Sequence, residues 1–277
     1  MSLKLMYITN RPEIAQIAES AGVDRIFVDM EYIGKDLRQG GMDTVQSHHT
    51  LQDVKKISEA IETAELLVRI NPIHEGSNQY ISTQEEIDGA IENGAQILML
   101  PYFKTVEEVE EFVKRVDGRV KTMPLLETPE AVEVIDDILD LDIDEIFIGL
   151  NDLSLGYGKK FMFELLSDGT VDLLSAKFRN KDIPFGFGGI ASLGKGLLPS
   201  EYVIREHYRL ESSAVILSRS FCRSDLTIDI NEIQNIFKTE LPKVRKLEKE
   251  CEKYSSFFKE NRKQVIDKIK IICALGD

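Results

Sequence analysis

Short apolar runs rich in β-branched residues alternate with longer stretches in which apolar residues recur every three to four positions. The short runs read as strands at Leu3–Thr9, Arg25–Met30, Leu66–Asn71, Gln96–Pro101, Lys121–Glu127, Glu145–Leu150, Ile183–Gly188 and Ala214–Ser218. The longer pattern predicts helices over Pro12–Ala21, Leu51–Ala64, Thr83–Asn93, Val106–Val116, Pro129–Leu139 and Pro199–Leu210. A further helical stretch runs from Asn231 to about Ile272. Strand–helix alternation implies parallel strands joined by crossovers. Eight such units in 277 residues favour an α/β fold of the closed (β/α)8 TIM-barrel type over an open doubly wound sheet. The expectation is one barrel domain over residues 1–277, with a C-terminal helical tail over about 231–272.

Local signals sharpen the boundaries. Thr105 followed by Glu108 reads as a capping box, and Thr128-Pro129-Glu130 places proline and an acid in a first helical turn. Gly22 and Gly94 stand just past helix ends, where a left-handed cap is expected. Two stretches interrupt the rhythm: Ile33–Thr50, with Gly40-Gly41 and His48-His49, and Tyr157–Lys181. Long loops after strands are where a barrel carries function. The charged tail from Leu241 to Lys270 reads either as a solvated final helix or as one that packs on a neighbouring subunit.

The formal net charge of −14 argues against nucleic-acid binding, which needs clustered Lys and Arg. It leaves room for a small anionic substrate, because one arginine in a focused pocket suffices for a carboxylate. Cys222, Cys251 and Cys273 form no paired spacing, which points to a reducing compartment and away from structural zinc. Polar Thr9-Asn10-Arg11 closely follows the first apolar run, so the start does not read as a signal peptide. No run approaches the ~18 apolar residues of a membrane span. A cytoplasmic location without membrane partners is expected.

The chemistry lies at strand ends. Strand three ends in Val68-Arg69-Ile70-Asn71-Pro72, strand five in Leu125-Leu126-Glu127-Thr128, and strand six in Gly149-Leu150-Asn151-Asp152-Leu153-Ser154. Each puts an ionisable group at the carboxyl end of an apolar run, the rim on which barrel active sites form. Glu127 and Asp152 on neighbouring strands would repel, and a cation between them relieves the repulsion. Mg2+ takes one or two carboxylates and fills its octahedron with water and substrate oxygens, so these two residues are the candidate ligands. The alternative is that each carboxylate caps the helix that follows it. Arg69 would clamp a substrate carboxylate or an enolate oxygen, or pair with Asp29 or Glu31. Those two acids alternate with Val28 and Met30, which puts both on one side of strand two, placed to support Arg69 or the metal.

Val28-Asp29-Met30-Glu31, the Arg69 and Glu127 segments, Gly94-Ala95 with Leu100-Pro101, and Gly149-Leu150-Asn151-Asp152-Leu153-Ser154 occur in that order. The set resembles the HpcH/HpaI aldolase and citrate lyase family over roughly residues 20–160. The resemblance implies the (β/α)8 fold, a bound Mg2+ or Mn2+, and carbon–carbon lyase chemistry through the enolate of a small 2-oxo acid or of an acyl-CoA. It implies Glu127 and Asp152 as metal ligands and Arg69 as the group that stabilises the enolate. Backbone amides near Gly149, Asn151 and Asp152 would contact the substrate carboxylate. It also implies a homo-oligomer whose last helix is exchanged between subunits.

One departure stands out. The aldolase branch follows its Asp-x-Glu with histidine, and this chain has Tyr32 there. Tyr32 would carry a proton only with a strongly lowered pKa. The acidic partner implied for the histidine falls on Glu92. His48 or His49 from the long loop, or a metal-held water, would then replace the base. The change also motivates a second reading, a metal- and oxo-acid-binding barrel with a regulatory role. No basic cluster marks a CoA site, which favours a small aldehyde as electrophile. Gly189-Ile190-Ala191-Ser192-Leu193-Gly194-Lys195 resembles the start of a P-loop, but Gly196 stands where Ser or Thr would bind magnesium. It reads instead as backbone of the barrel rim.

Overall fold

The computed structural model describes residues 2–34, 49–222 and 229–275. Eight parallel strands close on themselves in sequence order, and β8 pairs with β1. They are β1 (Lys4–Ile8), β2 (Arg25–Asp29), β3 (Glu65–Arg69), β4 (Ile97–Leu100), β5 (Lys121–Leu126), β6 (Ile146–Ile148), β7 (Phe185–Ile190) and β8 (Ala214–Leu217). All eight lie where the hydrophobic pattern places them, trimmed or shifted by a residue or two. The barrel interior is filled by Met6, Phe27, Leu67, Ile97, Met99, Met123, Leu125, Phe147 and Ala214. Gly186 of β7 makes room for one of them, because a Cβ there would stand 2.5 Å from the Phe147 ring. The outward faces of the same strands carry a second apolar layer, including Leu5, Ile26, Val28, Val68, Leu98 and Ile146, which packs against the helices. Each such side chain, fully buried, contributes about 1.5–3 kcal/mol.

The helices ring the strands: α1 (Pro12–Ser20), α2 (Leu51–Ala60), α3 (Thr83–Glu92), α4 (Val106–Val116), α5 (Pro129–Glu133), α6 (Ile135–Ile138), α7 (Leu150–Gly156), α8 (Glu164–Ser167), α9 (Thr170–Asn180), α10 (Ser200–Leu210), α11 (Ile230–Lys253) and α12 (Phe258–Leu275). Capping boxes start α2 (Thr50 and Asp53), α3 (Ser82 and Glu85) and α4 (Thr105 and Glu108). Gly22 and Gly94 adopt φ of +99° and +101°, as their places after α1 and α3 require.

Three predicted helices are cut short. α2 stops at Ala60, because the Glu19 carboxylate of α1 accepts the next amides, those of Glu62, Thr63 and Ala64, at 2.6–2.9 Å. The Pro129–Leu139 stretch breaks at Val134 (φ −105°, ψ 15°) into α5 and α6, in a run where β-branched valines weaken the helix. The tail bends at Tyr254 (φ −130°) into α11 and α12. Both tail helices lie on the barrel of their own chain, α11 against α1 and α10, and α12 against α8 and α10. The P-loop-like segment begins inside β7, and its helix waits until Ser200. The Ala191 amide there donates to Ser200 Oγ. Among the described residues no helix is long and apolar enough to cross a membrane.

Candidate active site

Strand register sets up the site. Asp29 and Arg69 are direct partners at the ends of β2 and β3, and one step further up their side chains meet. Arg69 Nε and Nη2 donate to the two Asp29 carboxylate oxygens at 2.8 and 2.7 Å. Arg69 Nη1 stands 3.3 Å from Glu31 Oε2. Burial alone would pull the guanidinium pKa down; Asp29 foremost, then Glu31, carry it well above its ordinary value. The chelate fixes the plane of the guanidinium and leaves donors over for a ligand.

Glu127 follows β5 and is 4% exposed. Its Oε1 accepts the Tyr102 amide at 2.9 Å. Tyr102 itself holds a left-handed backbone (φ 51°) just after β4, a strained conformation for a bulky residue. Gly149 follows β6, and its amide donates to the Leu126 carbonyl at 2.9 Å. A Cβ at Gly149 would stand 2.7 Å from Glu127 Oε2, so only glycine lets the carboxylate lie there. Asp152 sits in the first turn of α7 and lines the same two clefts as Glu127. Burial first, then the negative charges of Glu31 and Asp152, hold the Glu127 carboxyl well above the carboxylate range, against the pull of Arg69 and the Tyr102 amide. Glu127 does not cap the helix after it: Thr128 does that for α5 by accepting from the Ala131 amide. Among the described residues no cluster of three or more His, Cys, Asp or Glu side chains is arranged to hold a metal unaided.

These groups open into a cavity of about 420 Å3 at the carboxyl ends of the strands. Its floor is apolar, formed by Phe27, Met99, Leu125, Phe147 and Ile216. Asp29, Arg69, Glu127, Gly149, Asn151 and Asp152 line it, as the strand-end reading placed them. His49 lines it too, and its Nδ1 accepts the Asp29 amide at 3.0 Å. His48 lies outside the described residues. Arg11 after β1 and Arg219 after β8 also border the cavity; neither follows a pattern that marks it in the sequence.

Two expected residues are corrected. Tyr32 does not line the cavity; its ring is 42% exposed and packs edge-on against Tyr80. Burial, then the nearby charge of Glu86, push its phenol up rather than down, so it is unsuited to take a proton. Glu92 is exposed at the C-terminal end of α3. That helix runs back against the strands, so its end lies at the bottom of the barrel, opposite the mouth. The buried acid near the rim is instead Glu86, one turn into α3. It accepts from the Asn71 amide at 3.1 Å and from Asn71 Nδ2 at 2.8 Å. Asn71 Oδ1 in turn accepts the Tyr32 and Ile33 amides, both at 2.9 Å. Glu86 shares the buried stripe of Thr83, Ile87 and Ala90; a carboxylate on an apolar face was the available signal.

Residues 4–164 match the family described as HpcH/HpaI aldolase/citrate lyase. The chain belongs to that family. No curated protein matches it. Among solved structures, an HpcH/HpaI aldolase from Desulfitobacterium hafniense DCB-2 superposes with a TM-score of 0.58 at 15% identity, covering 88% of this chain and 93% of that one. The citrate synthase SbnG superposes with a TM-score of 0.58 at 15% identity, covering 88% of this chain and 94% of its own. These likenesses are of fold.

Proposed function

We propose that this chain is a divalent-metal-dependent carbon–carbon lyase or aldolase that works through the enolate of a small 2-oxo acid, with a small aldehyde as partner. The observation that carries the reading is that Glu127 and Asp152 line one cavity together with Arg69. Burial first, then the charges of Glu31 and Asp152, make an ionised Glu127 costly there and hold its carboxyl above the carboxylate range. The donor set is all oxygen and holds only two side chains, which fits Mg2+ or Mn2+ completed by water and substrate oxygens. When bound, such a cation supplies Lewis-acid polarisation of the oxo-acid carbonyl.

The chain's own residues supply the rest. Asp29 and Glu31 hold Arg69 in a fixed plane, from which it stabilises negative charge on the substrate. Gly149 to Asp152 line the cavity wall where α7 begins; the Gly149 amide is taken by the Leu126 carbonyl, so the first-turn amides beyond it are the ones this reading assigns to the substrate carboxylate. The apolar floor excludes water beneath the reacting carbons and strengthens those interactions.

Incubating the protein with Mg2+ or Mn2+ and pyruvate in deuterium oxide tests the reading. Deuteration of the methyl group, lost in Glu127→Ala, is expected by NMR. Wild-type protein that leaves the methyl protonated sinks the lyase reading. Oxalate binding without exchange would instead support a binding or regulatory barrel.

A further inference from the structure

The ring of His49 reaches the mouth over the end of β2 and lines the cavity beside Asp29 and Arg69. Its Nδ1 lies 3.0 Å from the Asp29 backbone nitrogen. A backbone amide donates and never accepts, so Nδ1 is the acceptor and carries no proton. The single proton of the neutral ring is then on Nε2. A second proton on Nδ1 would confront the Asp29 N–H directly, so this bond needs Nδ1 bare.

We infer that His49 acts as a neutral hydrogen-bond donor through Nε2 to the substrate oxygen that gathers negative charge on the β2–β3 side of the mouth, and that it is not the base. The inference rests on the lyase reading for its reaction but not for its tautomer. In the condensing direction the enolate carbon bonds to the aldehyde carbon and the carbonyl π pair moves onto oxygen. Nε2–H stabilises that oxygen, which then takes its proton from water. No proton leaves the ring. His49 thus does a different job from the histidine that Tyr32 replaces.

Two measurements test this. Proton–nitrogen correlation spectra of isotope-labelled protein resolve the ring nitrogens of its four histidines, with His49 identified by its loss in His49→Asn. An unprotonated Nδ1 with a protonated Nε2 is expected; the other tautomer, or a doubly protonated ring near neutral pH, overturns the inference. Kinetically, His49→Asn keeps an acceptor near Nδ1 and loses the donor, whereas His49→Gln keeps a donor near Nε2. Aldol turnover should fall about 10²-fold in His49→Asn and distinctly less in His49→Gln, while pyruvate methyl exchange survives in both. Loss of methyl exchange with turnover would make His49 the base and end the proposal. Absence of exchange in the wild type would instead fail the lyase reading, and the spectra would still decide the tautomer.

Discussion

At the scale of the residue, Glu127 couples the site to stability. Its carboxyl is held well above the carboxylate range in the folded protein. For an acid raised in this way, the unfolded chain releases its proton first as pH increases. The folded state is therefore penalised above the unfolded pKa of about 4.3, and the penalty grows until the folded pKa is passed. Glu127→Gln removes the penalty. The variant should be more stable than wild type near neutral pH by about 0.5–2 kcal/mol, as when other strained functional groups are removed, and the gain should shrink towards pH ~4. Thermal melts across that range in metal-free buffer check it. A gain that persists unchanged in acid would contradict the electrostatic cause. Adding Mg2+ should raise the wild-type midpoint and leave the variant's where it was.

At the scale of the element, the carboxyl ends of the strands act together. Gly149 illustrates this: it belongs to the β6–α7 connection, yet its missing side chain is the space that the β5 carboxylate uses. Gly149→Ala should leave the barrel folded and lower turnover by about 10²-fold, the loss expected when a reacting group is displaced by about an ångström. Circular dichroism with steady-state rates checks it, and near-normal turnover would mean that Glu127 works from another position. The same elements show what the sequence made legible. Strands and most helix starts follow from hydrophobic period and capping chemistry, both local. Asp29, Arg69 and Glu127 were legible because a charged residue closing an apolar strand has one place to go, and Asp152 because it stands in the first helical turn after such a strand. Helix ends were less so: α2 is stopped by Glu19, a residue of another helix. Glu92 was misplaced because its position came from resemblance, while the helix direction carries it to the far end of the barrel. The Tyr102 amide was missed because it acts on Glu127 of the next β/α unit, and Glu86 because it meets Asn71 across the long loop that joins β3 to α3.

At the scale of the molecule, closing the barrel depends on the end of the chain finding its beginning. Arg245 of α11 donates to the Leu3 and Gly22 carbonyls and pairs with Asp24. Glu248 accepts the Leu3 amide at 2.7 Å and the Tyr208 hydroxyl at 3.1 Å. Ile233, Phe237, Leu241 and Val244 share the buried stripe of the same helix with Glu248. The helix α12 adds much less to the core: Val265 and Ile269 are its buried apolar residues, with Asn261 beside them. It is pinned by Arg262, which pairs with Asp172 and donates to the Leu166 carbonyl. These two helices therefore have unequal roles. Ending the chain after Tyr254 removes α12 and should leave a folded barrel weakened by about 3–5 kcal/mol, the burial of two aliphatic side chains. Ending it before Ile230 removes the helix that covers the β8–β1 seam, and that chain should not fold. Chemical denaturation of the two truncations checks the contrast. If loss of α12 alone unfolds the protein, the second tail helix is part of the barrel's closure, and the ranking of the two helices drawn from their buried faces is wrong.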